Sequence, residues 1–414
     1  MIDLKDLLKD PEKYKKNMVE RNFNSSLIDE IVNYKKKLNS LIKEKDNIRS
    51  FINKFSKIKP DKMIIREVRT KKEKLKKFES EIDNLEKILN EKLSLVPNLK
   101  SSDTPVGKDE KENVILKTNG AIPKFTFQPK DHIDLGKIYD LIDIERAGKI
   151  SGSRFYYLKN QAVLLEFALI NFTYNLLLKE GFIPIIPPVF IKEEYYRGMG
   201  RLNSLQRDER YYLPQDDLYL IGSAEHTIGA YFANEILDER KLPIRFLGFS
   251  TCFRREAGSY GKDVRGILRT HQFDKIEMFV FALPEESEKE HKFLLSLQEK
   301  IMQELKLPYR VILLCSGDMG FTDYKQYDIE TWLPGQNKYR ETHSCSNTTD
   351  FQARGVNVRL RRKNNNIEYP HMLNATAIAI GRMIIAILEN YQRKDYIEVP
   401  EVLRKYLKFD IIKK

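Results

Sequence analysis

Phe253-Arg254-Arg255-Glu256-Ala257-Gly258-Ser259-Tyr260-Gly261-Lys262-Asp263-Val264-Arg265-Gly266-Ile267-Leu268-Arg269-Thr270-His271-Gln272-Phe273-Asp274-Lys275-Ile276-Glu277 is the stretch around which the chain is organised. Residues 245–253 before it are rich in aromatic and β-branched side chains, its middle holds three glycines among charges, and residues 272–281 alternate again. That pattern predicts strand, long loop, strand, a hairpin whose loop carries function. Successive strand residues face opposite ways, so Arg254 and Glu256 are expected to share a face on one arm. On the other arm Phe273, Lys275, Glu277 and Phe279 are expected to share one. At about 3.3 Å per residue, Phe273 and Glu277 stand roughly 13 Å apart, a span that suits a long ligand better than a compact one. Any single arginine here could be a solvated surface charge, but their concentration between short apolar strands argues for a ligand.

The face offers an aromatic plane, guanidinium groups from Arg254 and Arg269, and a carboxylate, which matches the base, phosphate and ammonium of an aminoacyl-adenylate. Across residues 253–277 the wording resembles motif 2 of class II aminoacyl-tRNA synthetases and is similar to that of seryl-tRNA synthetases. The fold this resemblance implies is α+β: an antiparallel sheet flanked by helices, with an N-terminal antiparallel coiled-coil arm.

Working outward towards the N-terminus, charge is concentrated early. Of a net charge of +12, residues 1–100 carry 26 Lys or Arg against 17 Asp or Glu, a surplus of nine, so the basic partner-binding surface is expected there. A short helical lead bearing Leu4, Leu7 and Leu8 is expected to break at Asp10-Pro11. From Leu27 the apolar positions Ile31, Tyr34, Leu38, Leu41, Ile48, Ile52 and Phe55 alternate spacings of four and three with Lys45 as a polar interruption, and the pattern resumes through Ile64, Val68, Leu75, Phe78, Ile82, Leu85 and Leu89. This heptad seam, interrupted by Pro60 and ended by Pro97, predicts two helices folded back as an antiparallel hairpin over residues 27–95. An oligomerisation coiled coil would show the same periodicity. Lys57, Lys59 and Lys62 at the tip, with Arg66, Arg69, Lys72 and Lys76 beyond, shift the balance to phosphate contacts indifferent to base sequence. The resemblance makes residues 1–100 a tRNA-binding arm, 101–115 a linker and 116–414 the catalytic domain.

Further elements fit the same order. Residues 160–180 have helical periodicity stopped by Gly181, and residues 182–190 read as a strand ended by prolines, together resembling motif 1 and implying a homodimer. Gly222-Ser223-Ala224-Glu225 opens a helix expected to run to about residue 237. Ser223 and Glu225 there serve equally well as ordinary helix-start residues. Residues 338–347 put Glu341 at a strand end beside small polar groups. Residues 373–390 read as one buried helix, in which Arg382 requires an anionic partner, either a structural salt bridge or a phosphate.

By residue-wise resemblance, Arg254, Arg382 and Glu341 are the catalytic set. Ser223, Ala224, Glu225, Arg254, Glu277, Asn374 and Thr376 would hold L-serine, with Glu277 on its ammonium and Asn374 and Thr376 on its hydroxyl. Arg254, Arg255, Glu256, Arg269, Phe273, Glu341, Thr342, His343, Ser344 and Arg382 would hold ATP, with Mg²⁺ on Glu341. The implied reaction charges tRNA(Ser), and also tRNA(Sec). Ser223, Thr342, His343 and Ala375 depart from the family's usual residues. Two other classes remain: a silent nucleic-acid-binding relative, which should have lost Arg254, Glu277 or Arg382, and a ligase acting on a protein carrier, which would have little use for the arm.

The three cysteines are scattered, so neither a disulfide framework nor a Cys-based zinc site is suggested. No P-loop, paired GxGxxG or HExxH occurs. No run is expected to approach the roughly 18 apolar residues that cross a bilayer, and the charged start does not build a signal peptide, so a cytoplasmic protein without a membrane partner is expected.

Overall fold

The computed structural model describes residues 1–56, 62–257 and 265–414 and divides into two compact units, Ile2–Pro97 and Asn98–Lys414.

In the first unit, helix α1 (Leu4–Lys9) starts at Asp3, whose carboxylate accepts from the amides of Lys5 and Asp6. Asp10-Pro11 ends α1 and also begins α2 (Pro11–Glu20), with Asp10 capping and Pro11 in the first turn. The proline break is therefore a junction between two helices, because an N1 proline gives up no hydrogen bond the helix needs. Helices α3 (Ser26–Ser56) and α4 (Lys62–Leu93) then run antiparallel. Ion pairs order the rungs: Glu30 with Lys92, Lys37 with Glu81 at 2.9 Å, Glu44 with Lys74 at 3.8 Å and Arg49 with Glu79 at 2.7 Å. Ile31, Leu38, Ile48, Ile82, Leu85 and Leu89 are buried between them. At the base Ile28 is fully buried and Leu27 only half, so the seam starts one residue later than the heptads predict.

The second unit is built on one eight-stranded sheet. Its strands are β1 (Val114–Asn119), β2 (Ile183–Ile185), β3 (Ile244–Phe253), β4 (Gln272–Ala282), β5 (Tyr309–Leu313), β6 (Lys325–Leu333), β7 (Lys338–Asn347) and β8 (His371–Ala379). The spatial order is β1-β5-β6-β7-β8-β4-β3-β2, antiparallel except for the last pair. β3 and β4 form the predicted hairpin, with Gln272 opposite Phe253. Along β4 the period of two sends Met278, Val280 and Ala282 into one apolar core and Phe279 and Phe281 into another. The first core is covered by helices α6 (Gln161–Leu177), α8 (Ser287–Glu304) and α9 (Ile380–Asn390), with the short helix α5 (His132–Ile138) beside α9. The second lies beneath α7 (Glu225–Gly229). That second face, where it is not covered, holds the cleft described below.

Several expectations are corrected. β3 ends at Phe253 and Glu256 has a φ of 50°, so strand alternation does not relate Arg254 to Glu256. The strand expected over residues 182–190 covers only Ile183–Ile185, and Phe190–Lys192 belongs to a separate three-stranded sheet, because the intervening prolines cannot supply ladder donors. α7 has five residues where a helix to residue 237 was expected, and Ile236–Asp238 pairs with Arg359–Arg361, so sheet pairing overrides local propensity. Residues 373–379 are a strand and only Ile380–Asn390 is helical. A continuous apolar run fits a central strand as well as a buried helix. The stretch read as a linker, residues 101–115, is packed: the Ser101 amide donates to the Tyr324 carbonyl, the Ser316 amide to that of Pro105, and Val114 and Ile115 already pair within β1. By length and composition alone the helix Gln161–Glu180 is apolar enough to cross a membrane, against expectation. Its Leu165, Leu169 and Phe172 are buried in the core, while Leu164 and Phe167 are exposed.

Phe279 is fully buried where β3, β4, β8 and α7 meet. Phe279→Ala is expected to remove about 3–5 kcal/mol from this unit, seen as a fall in its calorimetric melting temperature. An unchanged temperature would contradict the packing described.

Candidate active site

The cleft consists of a cavity of about 740 Å³, a small one of about 100 Å³ and a side cavity of about 390 Å³, with Arg269 lining all three. Its floor is the exposed part of β4, β7 and β8. Its walls are the two ends of the hairpin, the start of α7 and residues 201–210.

One side of the large cavity is lined by the start of α7, Lys275 and Asn374. Ser223 is buried and its hydroxyl accepts from the Glu225 amide at 3.3 Å, which helps start α7. Glu225 lines the cavity, with Arg201 Nε 2.8 Å from its Oε1. Burial alone would push the Glu225 carboxyl up; Arg201, then Lys275 and Arg254, outweigh it and hold the group below its usual range. Ala224 faces the apolar core beneath α7. Lys275 lines the cavity and its Nζ is 2.6 Å from Glu277 Oε2. Glu277 itself is buried and does not line the cleft. Burial raises its pKa, and Glu225 adds to that against the pull of Lys275. Asn374 and Thr376 stand on β8 opposite Phe279 and Glu277. Asn374 is 3% exposed, lines the large cavity, and its Nδ2 has no partner among the described residues. A buried amide donor left without a partner costs about 1–3 kcal/mol, which a ligand acceptor would recover.

The small cavity beside it has a cationic lining. Arg254 Nε donates to the Gly222 carbonyl at 3.1 Å, and its guanidinium lies 5.3 Å from the Phe273 ring centroid. Arg269 Nη1 is 3.3 Å from Glu256 Oε2, and Arg154 Nη1 donates to the Glu256 carbonyl at 2.6 Å, which fixes the left-handed backbone there. Arg382 Nη1 is 3.1 Å from Glu341 Oε1 and donates to the Glu341 carbonyl at 3.0 Å. The anionic partner that Arg382 required is thus Glu341. Partial withdrawal from water acts to raise the Glu341 carboxyl, which is still half-exposed, but Arg382, Arg254 and Arg269 hold it below its usual range. Glu341 lies within β7 and not at a strand end, at a bulge where the register slips between Ile329 and Glu330.

Of the expected nucleotide set, Arg255 and His343 line none of the three cavities, whereas Thr342 lines one. Arg255 is exposed, packs over Tyr211 at 5.1 Å and donates to the Arg210 carbonyl. Thr342 touches the small cavity, but its hydroxyl is taken by Thr331 at 2.7 Å. His343 is fully buried, and burial lowers its pKa to about 4, so it is a neutral core group away from the cleft. Ser344 does line the cleft.

Arg201, Arg210 and Lys275 were not singled out from sequence as site residues, yet all three line the large cavity. Lys275 was legible as a member of the β4 face. The two arginines bracket a polar loop whose approach to Glu225 leaves no local signal. For a divalent cation, Glu341 offers one half-exposed carboxylate, and the described residues hold no cluster of three ligands. That donor set fits Mg²⁺ taking its remaining ligands from phosphate and water. On the first unit Lys62, Arg66, Arg69, Lys72 and Lys76 are exposed along α4, while Lys57, Lys59 and residues 258–264 of the hairpin loop lie outside the described residues.

Residues 210–391 match the family model for the tRNA synthetase class II core domain (G, H, P, S and T), and residues 1–100 that for the seryl-tRNA synthetase N-terminal domain. Serine–tRNA ligase of Dictyoglomus thermophilum is 48% identical over 422 residues, covering 100% of this chain and 99% of that protein. Seryl-tRNA synthetase from Pyrococcus horikoshii, complexed with ATP, superposes with a TM-score of 0.93 at 38% identity, covering 100% of this chain and 99% of that one. Cytoplasmic serine–tRNA ligase from Naegleria fowleri, in complex with AMP, superposes with a TM-score of 0.86 at 32% identity, covering 98% of this chain and 96% of that one.

Arg201→Met is expected to raise the titration midpoint of Glu225, because burial then acts with less opposition. Carboxyl-carbon NMR would read the midpoint, and an unmoved value would contradict the assigned charge balance.

Proposed function

The chain belongs to the seryl-tRNA synthetase family, and we propose that, as a serine–tRNA ligase, it works in two steps within the cleft described. A serine carboxylate oxygen attacks the α-phosphorus of ATP; the bond to the β-phosphate breaks and pyrophosphate leaves. A ribose hydroxyl of the terminal adenosine of tRNA(Ser) then attacks the seryl carbonyl, and AMP leaves. No covalent enzyme intermediate is needed, so the rate comes from in-line positioning and from offsetting negative charge at the α-phosphate.

The observation that carries this reading is the conjunction of the cavity-lining Glu225, held ionised by Arg201, with Arg254 stacked on Phe273 in the same cleft. Glu225 takes the serine ammonium, and Glu277 joins it when Lys275 moves. Asn374 and Thr376 take the hydroxyl. Arg254 bridges the serine carboxylate and the α-phosphate, Phe273 stacks on adenine beside Glu256, and Arg269 and Arg382 hold the outer phosphates. Mg²⁺ on Glu341 would neutralise charge on those phosphates. Hydroxyl recognition rejects alanine strongly, whereas excluding threonine depends on one methyl group.

The exposed basic strip of α4 supports the first unit as the tRNA arm, its contacts being salt-dependent; serving tRNA(Sec) as well as tRNA(Ser) follows from the same recognition. Exposed Leu164, Phe167, Ile183 and Ile186 support a homodimer formed on this face. Phe167→Asp is expected to shift the sedimenting species from dimer to monomer; a wild-type monomer at micromolar concentration would overturn the assignment.

Serine-dependent exchange of pyrophosphate into ATP, without tRNA and with each of the twenty amino acids offered in turn, tests the first step. Exchange with serine alone is expected, and exchange with another amino acid, or none, would contradict it. Glu225→Gln is expected to raise the KM for serine by about 10²-fold, a charged hydrogen bond being lost, with the KM for ATP little changed.

A further inference from the structure

The nucleotide end of the cleft depends on two arginines from different elements, Arg269 in the return of the hairpin loop and Arg382 in the first turn of α9. We infer that His132 is a positioning residue that fixes these two arginines relative to one another, through a buried hydrogen-bond chain from Glu389 to the backbone of Ile267. The inference rests on the proposed nucleotide site.

His132 opens α5 and is 3% exposed, and Glu389 near the end of α9 is fully buried. Glu389 Oε1 accepts from the His132 amide at 3.1 Å and stands 3.1 Å from its Nδ1, while Oε2 accepts from the Gly335 amide at 2.9 Å. Across the ring, Nε2 accepts from the Ile267 amide at 3.3 Å. An N–H donor at Nε2 leaves the proton on Nδ1, where it is donated to Glu389, so the ring is the neutral Nδ1–H form.

The two ends of this chain are the informative feature. Ile267 is two residues before Arg269, and Glu389 is two helical turns after Arg382, about 10.5 Å along the same axis. The ring also sets what can pass over it. Gly266 has a φ of 80°, and a Cβ there would overlap the His132 ring. His132 lines none of the three cavities, so it acts through the backbone it holds.

Substitutions separate this role from mere packing, because the two ring nitrogens do different work. The amide of His132→Gln can still accept from Ile267, whereas that of His132→Asn can reach Glu389 but not Ile267. Full-length variants would be assayed by serine-dependent pyrophosphate exchange, with melting temperature measured alongside. The KM for ATP is expected to rise by about tenfold in His132→Asn and His132→Ala, the loss of one buried hydrogen bond, while His132→Gln stays near wild type and the KM for serine changes little in all three. Loss of kcat in proportion to melting temperature, with no difference between Gln and Asn, would overturn the inference. If the His132 variants do not accumulate folded, Gly266→Ala keeps every hydrogen-bonding group and displaces the ring; it is expected to raise the KM for ATP, and an unchanged KM would overturn the inference. Absence of serine-dependent exchange in the wild-type protein would instead sink the reading of the site itself.

Discussion

A carboxylate withdrawn from water must have a cation beside it, and two buried carboxylates obey this at the cleft, Glu225 lining it and Glu277 held behind the cavity-lining Lys275. Glu225 has Arg201 and Glu277 has Lys275, at 2.8 and 2.6 Å. Arg201, Glu225 and Lys275 line the same cavity as Asn374, whose amide nitrogen has no partner among the described residues. An incoming ammonium therefore meets an ionised carboxylate already in place, and the site needs no reorganisation of charge beyond a shift of Lys275. A neutral amine or a carboxylate ligand would find no equivalent compensation there.

The sheet is what allows this arrangement. β4 packs apolar side chains into cores on both faces, and only at Lys275 and Glu277 does the second face turn polar. α9 contributes Arg382 to the cleft while most of its side chains are buried in the first core, so a charged residue is held by a rigid apolar element. Arg254, Arg269, Lys275 and Arg382 line the small cavity against Glu256 and Glu341, a positive surplus that phosphate would satisfy.

The legible parts of the sequence were those with a clear period or a clear composition. The arm helices carry a heptad seam and took the expected form because the face they bury is written in spacings of three and four, and the hairpin formed from two arms rich in aromatic and β-branched residues around a glycine-bearing loop. Residues 373–379 misled because a strand buried on both faces has no alternation to display. The helix expected after Glu225 failed because pairing of Ile236–Asp238 with a distant strand outweighed local propensity. Arg201 could not be given a role from sequence, since its partner is set by a loop approach, whereas Lys275 pairs with Glu277 two residues on along the face it was read to share. His343 was placed on the ligand by wording alone and is buried in the core, while Thr342 lines the small cavity with its hydroxyl taken by Thr331.

The most direct test is a crystal structure of the full-length protein with a hydrolysis-resistant seryl-adenylate analogue. The account predicts the ligand ammonium within hydrogen-bond distance of Glu225, the ligand hydroxyl at Asn374 or Thr376, and adenine stacked on Phe273, with Lys275 displaced from Glu277. An analogue bound with its ammonium away from Glu225, or with Phe273 left uncovered, would contradict it.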